Sequence, residues 1–222
     1  EAISQTKSLR VISHFDTDGV TSAAIFSRAL ARWGKSFPME IVKSLDEDFV
    51  KGLGEKDVLI FLDLASGSLD YLKDKKTEIF IFDHHEIVQE VPENVFMINP
   101  SYEKEENLCS ATICYLFAKE LSGGNKDLAN LAVIGTVGDI MDKNYGKVFS
   151  SVLSDAETTV KKGILLYPST RPLDKALEYS SQPYIPGVSG SRTGALGLLR
   201  DAGIESDGGK FKALYELNDE EM

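Results

Sequence analysis

In residues 11–30, VISHFDTDGVTSAAIFSRAL, the side chains of His14, Asp16 and Asp18 occupy alternating positions between an apolar run and an apolar-periodic segment. Carboxylates this close repel one another, and burial is costly unless a cation joins them. The same residue types recur further on. Asp63 follows VLIFL, Asp83-His84-His85 follows EIFIF, and Asp139 interrupts the apolar LAVIGTVGDI. The chain holds 3 histidines and all belong to this set, which chance placement explains poorly. Oxygen ligands alone favour Mg²⁺ or Ca²⁺. Added imidazoles move the expectation to Mn²⁺, with Fe²⁺, Co²⁺ and Zn²⁺ within range and Mg²⁺ as an alternative. The donors outnumber what one ion needs. Two ions about 3.5–4 Å apart, sharing a carboxylate, would use the whole set, clamp a phosphate and acidify a bridging water. The chemistry implied is hydrolysis of a phosphoester. No P-loop or dinucleotide fingerprint is present, which weighs against kinases and dehydrogenases.

Each piece alone has a plainer reading. Asp18-Gly19 is a common helix start with Asp18 as N-cap. Asp63 could cap a loop, Asp83-His84-His85 could be a histidine pair satisfied by backbone, and Asp139 could face water near a helix end. Asp142 suits that last role better. Only the joint pattern resists these readings.

The elements that would position these groups follow from periodicity. Residues 9–13, 39–42, 58–62, 78–82 and 95–98 read as strands, and VLIFL suits a strand buried on both faces. Helices are expected at 19–33, 46–53, 68–73, 109–121 and 126–141. Gly34 stops the first, and Ser122-Gly123-Gly124 ends the fourth. Alternation of strand and helix implies an α/β fold: an open parallel sheet of Rossmann-like type with crossover helices. Ligands of such sheets bind beyond the carboxyl ends of the strands, where His14 to Asp18, Asp63 and the Asp83 triplet all fall. After Tyr145 the texture changes, with Pro168, Pro172, Pro183 and Pro186 between short helices at 173–180 and 191–202. The expected organisation is an α/β metal-binding domain at 1–145 and a C-terminal helical extension at 146–222.

The chain has 222 residues, 42% hydrophobic and 27% charged, with net charge −11. An acidic surface argues against broad non-specific nucleic-acid binding, although bound cations can supply a positive field. No apolar run approaches the roughly 20 residues of a membrane span, so no membrane partner is expected. Cys109 and Cys114 fall on different faces of one expected helix, which disfavours a disulfide and fits a reducing, cytoplasmic setting.

SHFDTDG, FLDL, IFDHH and GTVGD, in this order and spacing, resemble the motifs of the DHH phosphoesterase superfamily, named for the triplet at Asp83-His84-His85. The match spans Val11 to about Asp142. LDLASGSLDYL and ALEYSSQPYIPGVSG resemble the archaeal RecJ-like branch, whose members include nucleases associated with the GINS replication complex and which is related to bacterial RecJ and to Cdc45. The resemblance implies two Mn²⁺ ions. His14 and Asp16 hold one with Asp63; Asp18, His84 and Asp139 hold the other, with Asp63 bridging. His85 would face the scissile phosphate, and Asp83 would orient a histidine. Ser110 could present backbone N–H groups to a phosphate. Arg171 could touch substrate, with a surface salt bridge as its plainer role.

The implied activity is a single-strand exonuclease on DNA or RNA that releases mononucleotides in replication or repair, with GINS or replicative-helicase components as partners. The same centre would serve an oligonucleotide or cyclic-dinucleotide phosphodiesterase or a pyrophosphatase. A Cdc45-like scaffold is the non-enzymatic alternative, although here every ligand position is filled. The family commonly continues into a DHHA1 domain with a Gly-rich histidine motif, and the helical extension would lead towards it. No Gly-Gly-Gly-His occurs within these residues.

Overall fold

A computed structural model describes residues 8–102, 106–143, 145–158, 166 and 170–218. Five strands, β1 (Leu9–His14), β2 (Met39–Val42), β3 (Val58–Leu62), β4 (Ile79–Phe82) and β5 (Val95–Ile98), pair in the order β2-β1-β3-β4-β5. All four pairings are parallel. Every residue of β3 is buried, as its unbroken apolar run requires of a strand covered on both faces. Alternate residues feed two cores. Val11, Ile60, Leu62 and Phe82 pack on one side; Ile12, Leu59, Phe61, Ile79 and Ile81 pack on the other.

Helix α1 (Thr17–Arg32) returns the chain from β1 to β2, and α2 (Glu47–Gly52) leads to β3. The β3-to-β4 crossover carries only a 3₁₀ turn at Leu69–Tyr71, shorter than the helix expected at 68–73. Helices α3 (Ser110–Leu121), α4 (Ala129–Gly138) and α5 (Lys147–Ala156) follow β5. The helix expected over 126–141 is divided. Asn125 is buried with its Nδ2 donating to Ala118 O at 2.8 Å, and Arg32 Nη1 donates to Gly124 O and Asn125 Oδ1 at 3.1 and 3.0 Å. These bonds draw residues 123–128 into a 3₁₀ segment before α4 begins. The helix then stops at Gly138, and Ile140 takes φ 58°, which no α-helix accommodates.

The GTVGD motif lets α4 lie against its neighbours. A Cβ on Gly135 would stand 2.5 Å from Ala111 Cβ, 2.7 Å from Thr21 Oγ1 and 2.8 Å from Asp18 Oδ1; one on Gly138 would stand 2.5 Å from Thr17 Cβ. The two glycines set the separation of α4 from α1 and α3.

Helix α5 has a long-range cap. The Glu106 carboxylate accepts from the backbone N–H of Gly146, Val148 and Phe149 at 2.9, 3.0 and 3.0 Å. It meets donors that a first helical turn leaves without intrahelical partners, and its charge opposes the positive end of the helix dipole. Glu106→Ala is expected to cost about 1–2 kcal/mol. Calorimetry should read that as a fall of roughly 2–8 °C in Tm, with Glu106→Gln intermediate.

Chain contacts divide the molecule into two units, Glu1–Thr158 and Thr159–Met222. Helix α5, which follows the change of texture at Tyr145, has Phe149 and Val152 in the first unit's core. The second unit has its own core, including Leu173, Leu177, Val188, Ala195 and Leu199, built on α6 (Leu173–Glu178) and α7 (Arg192–Asp201). Ser191 caps α7 by accepting from Gly194 N at 3.1 Å. Cys109 and Cys114 are buried and free. Among the described residues no helix is long and apolar enough to cross a membrane.

Candidate metal centre

The sheet order reverses between β1 and β3, the switch point where open α/β sheets leave a crevice at the strands' carboxyl ends. His14 ends β1, and Asp16 is the N-cap of α1, its Oδ1 accepting from Gly19 N at 2.9 Å. That moves the helix start ahead of the expected residue 19 and takes the capping role from Asp18. Asp18 lies fully buried in the first turn of α1 and reaches another helix. Its Oδ2 accepts from Ser110 N at 2.7 Å and its Oδ1 from Ala111 N at 2.8 Å. One carboxylate thereby fastens the start of α3 to the β1 loop. The N–H of Ser110, expected to face a phosphate, is committed to Asp18, and its Oγ donates to Asp63 Oδ1 at 3.0 Å.

Asp63 follows β3 with φ 60°, in the left-handed region that aspartate tolerates better than most residues. Asp83 follows β4. Its carboxylate accepts from Ser66 N at 2.9 Å and His84 N at 2.8 Å, and from the His85 ring at Nδ1, 2.7 Å away. Asp139 is the C-cap of α4.

These groups converge around Asp63. His14 Nδ1 stands 2.8 Å from Asp16 Oδ2 and 3.4 Å from Asp63 Oδ2. His84 Nε2 stands 3.0 Å from Asp139 Oδ2, 3.4 Å from Asp63 Oδ1 and 3.8 Å from Asp18 Oδ2. His14, Asp16 and Asp63 form one group able to hold a cation, and Asp18, His84 and Asp139 form a second. Asp63, His84 and His85 form a third grouping, although the His85 ring is engaged by Asp83. Donors about 2.1 Å from a shared ion stand about 3 Å apart at right angles, which is the spacing seen here.

The buried polar atoms support the same fit. His14 Nδ1, Asp63 Oδ2 and His84 Nε2 are buried without a hydrogen-bond partner. His14 Nε2 lies 3.1 Å from Lys43 O. The carbonyl can only accept, so Nε2 carries the proton and the Nδ1 lone pair of a neutral ring is turned on carboxylate oxygens. Lone pair against lone pair is repulsive; a cation between them makes it attractive. Sequence reasoning did not reach Ser110 Oγ, Ser66 N or Lys43 O, because hydroxyl and backbone groups carry no residue-type signal. Arg171 is exposed in the second unit, where it lines a cavity of about 470 Å³ with Pro172, Lys175 and Tyr179.

Electrostatics are lopsided. Burial and the charge of Asp63 push the Asp18 carboxyl up to about 7. Asp63 is also raised, by burial first and then by Asp16, against the pull of His84. Burial opposes the charged form of His84, but Asp139, Asp63 and Asp18 outweigh it and raise the ring to about 10. Burial likewise disfavours ionised Asp83, yet His85 and Ser66 hold it down at about 2. Protonated His84 is thus the stand-in cation of the metal-free protein. Its stabilising contribution is full below the ordinary histidine value of 6.5 and is lost as pH rises through about 10. Asp18 acts in the same direction at lower pH: its cost is absent below 3.8, grows from there and is complete once pH passes about 7, which leaves the fall above pH 7 to His84. In EDTA, Tm should therefore fall between about pH 7 and pH 10, while Mn²⁺ affinity rises over that range as the competing proton leaves. Differential scanning fluorimetry and calorimetric titration check both; a flat EDTA profile would contradict the assignment.

Residues 8–136 match the DHH family, N-terminal domain, and residues 166–222 the DHH-CID domain. An uncharacterized protein of Methanocaldococcus jannaschii is 28% identical over 212 residues, covering 89% of this chain and 48% of that protein. The chain thus spans about half the length of this relative. Among solved structures, exonuclease RecJ bound to manganese aligns at TM-score 0.60 and 18% identity, over 86% of this chain and 51% of that one. CDC45 from Entamoeba histolytica aligns at TM-score 0.63 and 15% identity, over 97% and 51%. At these identities the likeness is one of fold. The family match covers more than half of the chain and includes the loops that carry His14, Asp63 and His84, and this chain belongs to the DHH family.

Proposed function

We propose that the chain carries the catalytic centre of a metal-dependent phosphodiesterase, acting as an exonuclease that releases mononucleotides from single-stranded DNA or RNA. The observation that carries this reading is the place of Asp63 between the two cation-holding groups: it belongs to the one with His14 and Asp16, and its Oδ1 stands 3.4 Å from His84 Nε2 of the other. His14, Asp16 and Asp63 would hold one Mn²⁺, and Asp18, His84 and Asp139, with Asp63, the other. When bound, the ions supply Lewis-acid polarisation of a phosphate and acidify a water.

The remaining roles belong to the protein. Asp83 accepts the Nδ1 proton of His85 and fixes the ring, leaving Nε2 as its other proton-carrying atom. Asp83 raises the basicity of His85, which favours the doubly protonated ring. With the side chain 53% exposed, His85 donates from Nε2 to a phosphate oxygen. Ser110 Oγ holds Asp63, and the Lys43 carbonyl holds His14, so both side chains are fixed in place for the ions they would hold. A cavity of about 150 Å³ beside His84, lined by Pro100, Ser101, Asn107, Leu108 and Met141, gives room for a phosphate.

Labelled oligonucleotide, pApA, cyclic di-AMP and pyrophosphate, each incubated with Mn²⁺, separate the substrate classes. Mononucleotide release from the oligonucleotide, abolished by EDTA, is the expected result. Turnover of pyrophosphate alone would refute the nuclease reading. GINS or replicative-helicase partners belong to the same proposal and are tested by pull-down beside a metal-site variant.

A further inference from the structure

We propose that Phe15, with Lys43 near its ring, is the platform on which a nucleobase of the substrate stacks at the metal centre. The inference rests on the phosphodiesterase reading and deepens it, because it selects substrates that carry a base. Phe15 lies between His14 and Asp16, two residues that would hold an ion, yet it is 52% exposed. Exposure alone singles out nothing, since Tyr179 and Tyr184 are more exposed. Position sets Phe15 apart. Its ring meets the His14 ring edge-to-face, with centroids 4.9 Å apart and planes at 81°. Whatever touches Phe15 is therefore one ring away from the centre.

Lys43 adds a cation. Its Nζ lies 5.8 Å from the Phe15 ring centroid, and its backbone carbonyl engages His14. Among the described residues Lys43 has no carboxylate partner, in a chain with 35 acidic and 24 basic side chains. An ammonium without a carboxylate partner among the described residues, close to an open aromatic ring, matches a ligand that is both anionic and flat. Nucleotides have that pairing of phosphate and base; inorganic pyrophosphate lacks the base. Stacking on an aromatic ring tolerates any base, as a nuclease acting on mixed sequence needs.

The test uses the complete protein with two Mn²⁺-supplemented oligonucleotides that differ only in whether the nucleotides at each end carry a base or are abasic. Phe15→Ala should raise KM for the normal oligonucleotide about tenfold or more, with kcat changed less and with Mn²⁺ binding unchanged. Wild type and variant should cut the abasic oligonucleotide alike, and Phe15→Trp should restore the normal KM. Equal loss on both oligonucleotides, or weakened Mn²⁺ binding, would make Phe15 a structural support and overturn the proposal. Binding of the same oligonucleotides in Ca²⁺, read by anisotropy, separates the two levels. Base-dependent loss of binding without any Mn²⁺-dependent cleavage in wild type would overturn the hydrolase reading and leave the platform standing. Binding indifferent to the base would overturn the platform alone.

Discussion

Asp63→Asn is expected to lower Mn²⁺-dependent hydrolysis by about 10³-fold or more, and to raise the Tm of the metal-free protein. The two effects have one origin. Asp63 is buried, has a raised carboxyl, stands within reach of His14, Asp16 and His84, and acts on Asp18 through its charge. With ions bound, its shared position makes it the residue whose loss harms both cation groups, and several kcal/mol of charge stabilisation go with it. Without ions, its charge is a burden that protonated His84 offsets only in part, since the carboxyl stays raised. Asparagine keeps an oxygen for the Ser110 hydroxyl, fits the left-handed backbone at φ 60°, and removes the charge. A gain of about 1 kcal/mol, or roughly 2–4 °C in EDTA, is the expected scale. The rise in Tm that Mn²⁺ gives wild type should largely vanish in the variant. A variant less stable than wild type in EDTA would mean that Asp63 is a structural anchor rather than a site built for cations.

The second large effect concerns a glycine. Gly135→Ala should destabilise the protein by about 1–3 kcal/mol and weaken Mn²⁺ binding at least tenfold. In an exposed helix the same change would stabilise by about 1 kcal/mol, so the sign depends on space. A Cβ at Gly135 meets Ala111 Cβ, Thr21 Oγ1 and Asp18 Oδ1 at 2.5–2.8 Å. None of these is the free end of a long side chain, and relief requires moving α4. Asp139 rides at the end of α4, 3.0 Å from His84, so the shift reaches the cation site. Gly197→Ala in α7 is the matched control: a Cβ there meets nothing within 4 Å, and its Tm should rise. Equal responses at the two positions would dismiss close helix approach as the reason for GTVGD.

The parts of this molecule legible in its sequence are those encoded by residue type at short range. VLIFL reads as a doubly buried strand because no polar residue interrupts it, and it is one. The acids and imidazoles after successive strands read as one cluster because parallel strands end on the same side, and the structure brings those side chains together. What could not be read depends on partners distant in sequence or on backbone angle. Asp18 was ambiguous between helix cap and buried ligand; its contact with Ser110 spans 92 positions. Glu106 capping α5 across 40 positions left no local mark. The division of the 126–141 segment followed from Arg32 and Asn125 drawing a loop inward, which hydrophobic periodicity does not register.

The left-handed backbone at Asp63 also bears on ancestry. Polypeptides held in sparsely populated angles persist there while something else rewards them. On the proposed phosphodiesterase reading, a duplicated copy released from catalysis would find exchange at this position favoured by folding itself. Return would then run against the gradient. Descendants kept only to assemble with other proteins should diverge early at this residue, while the sheet beneath it stays recognisable.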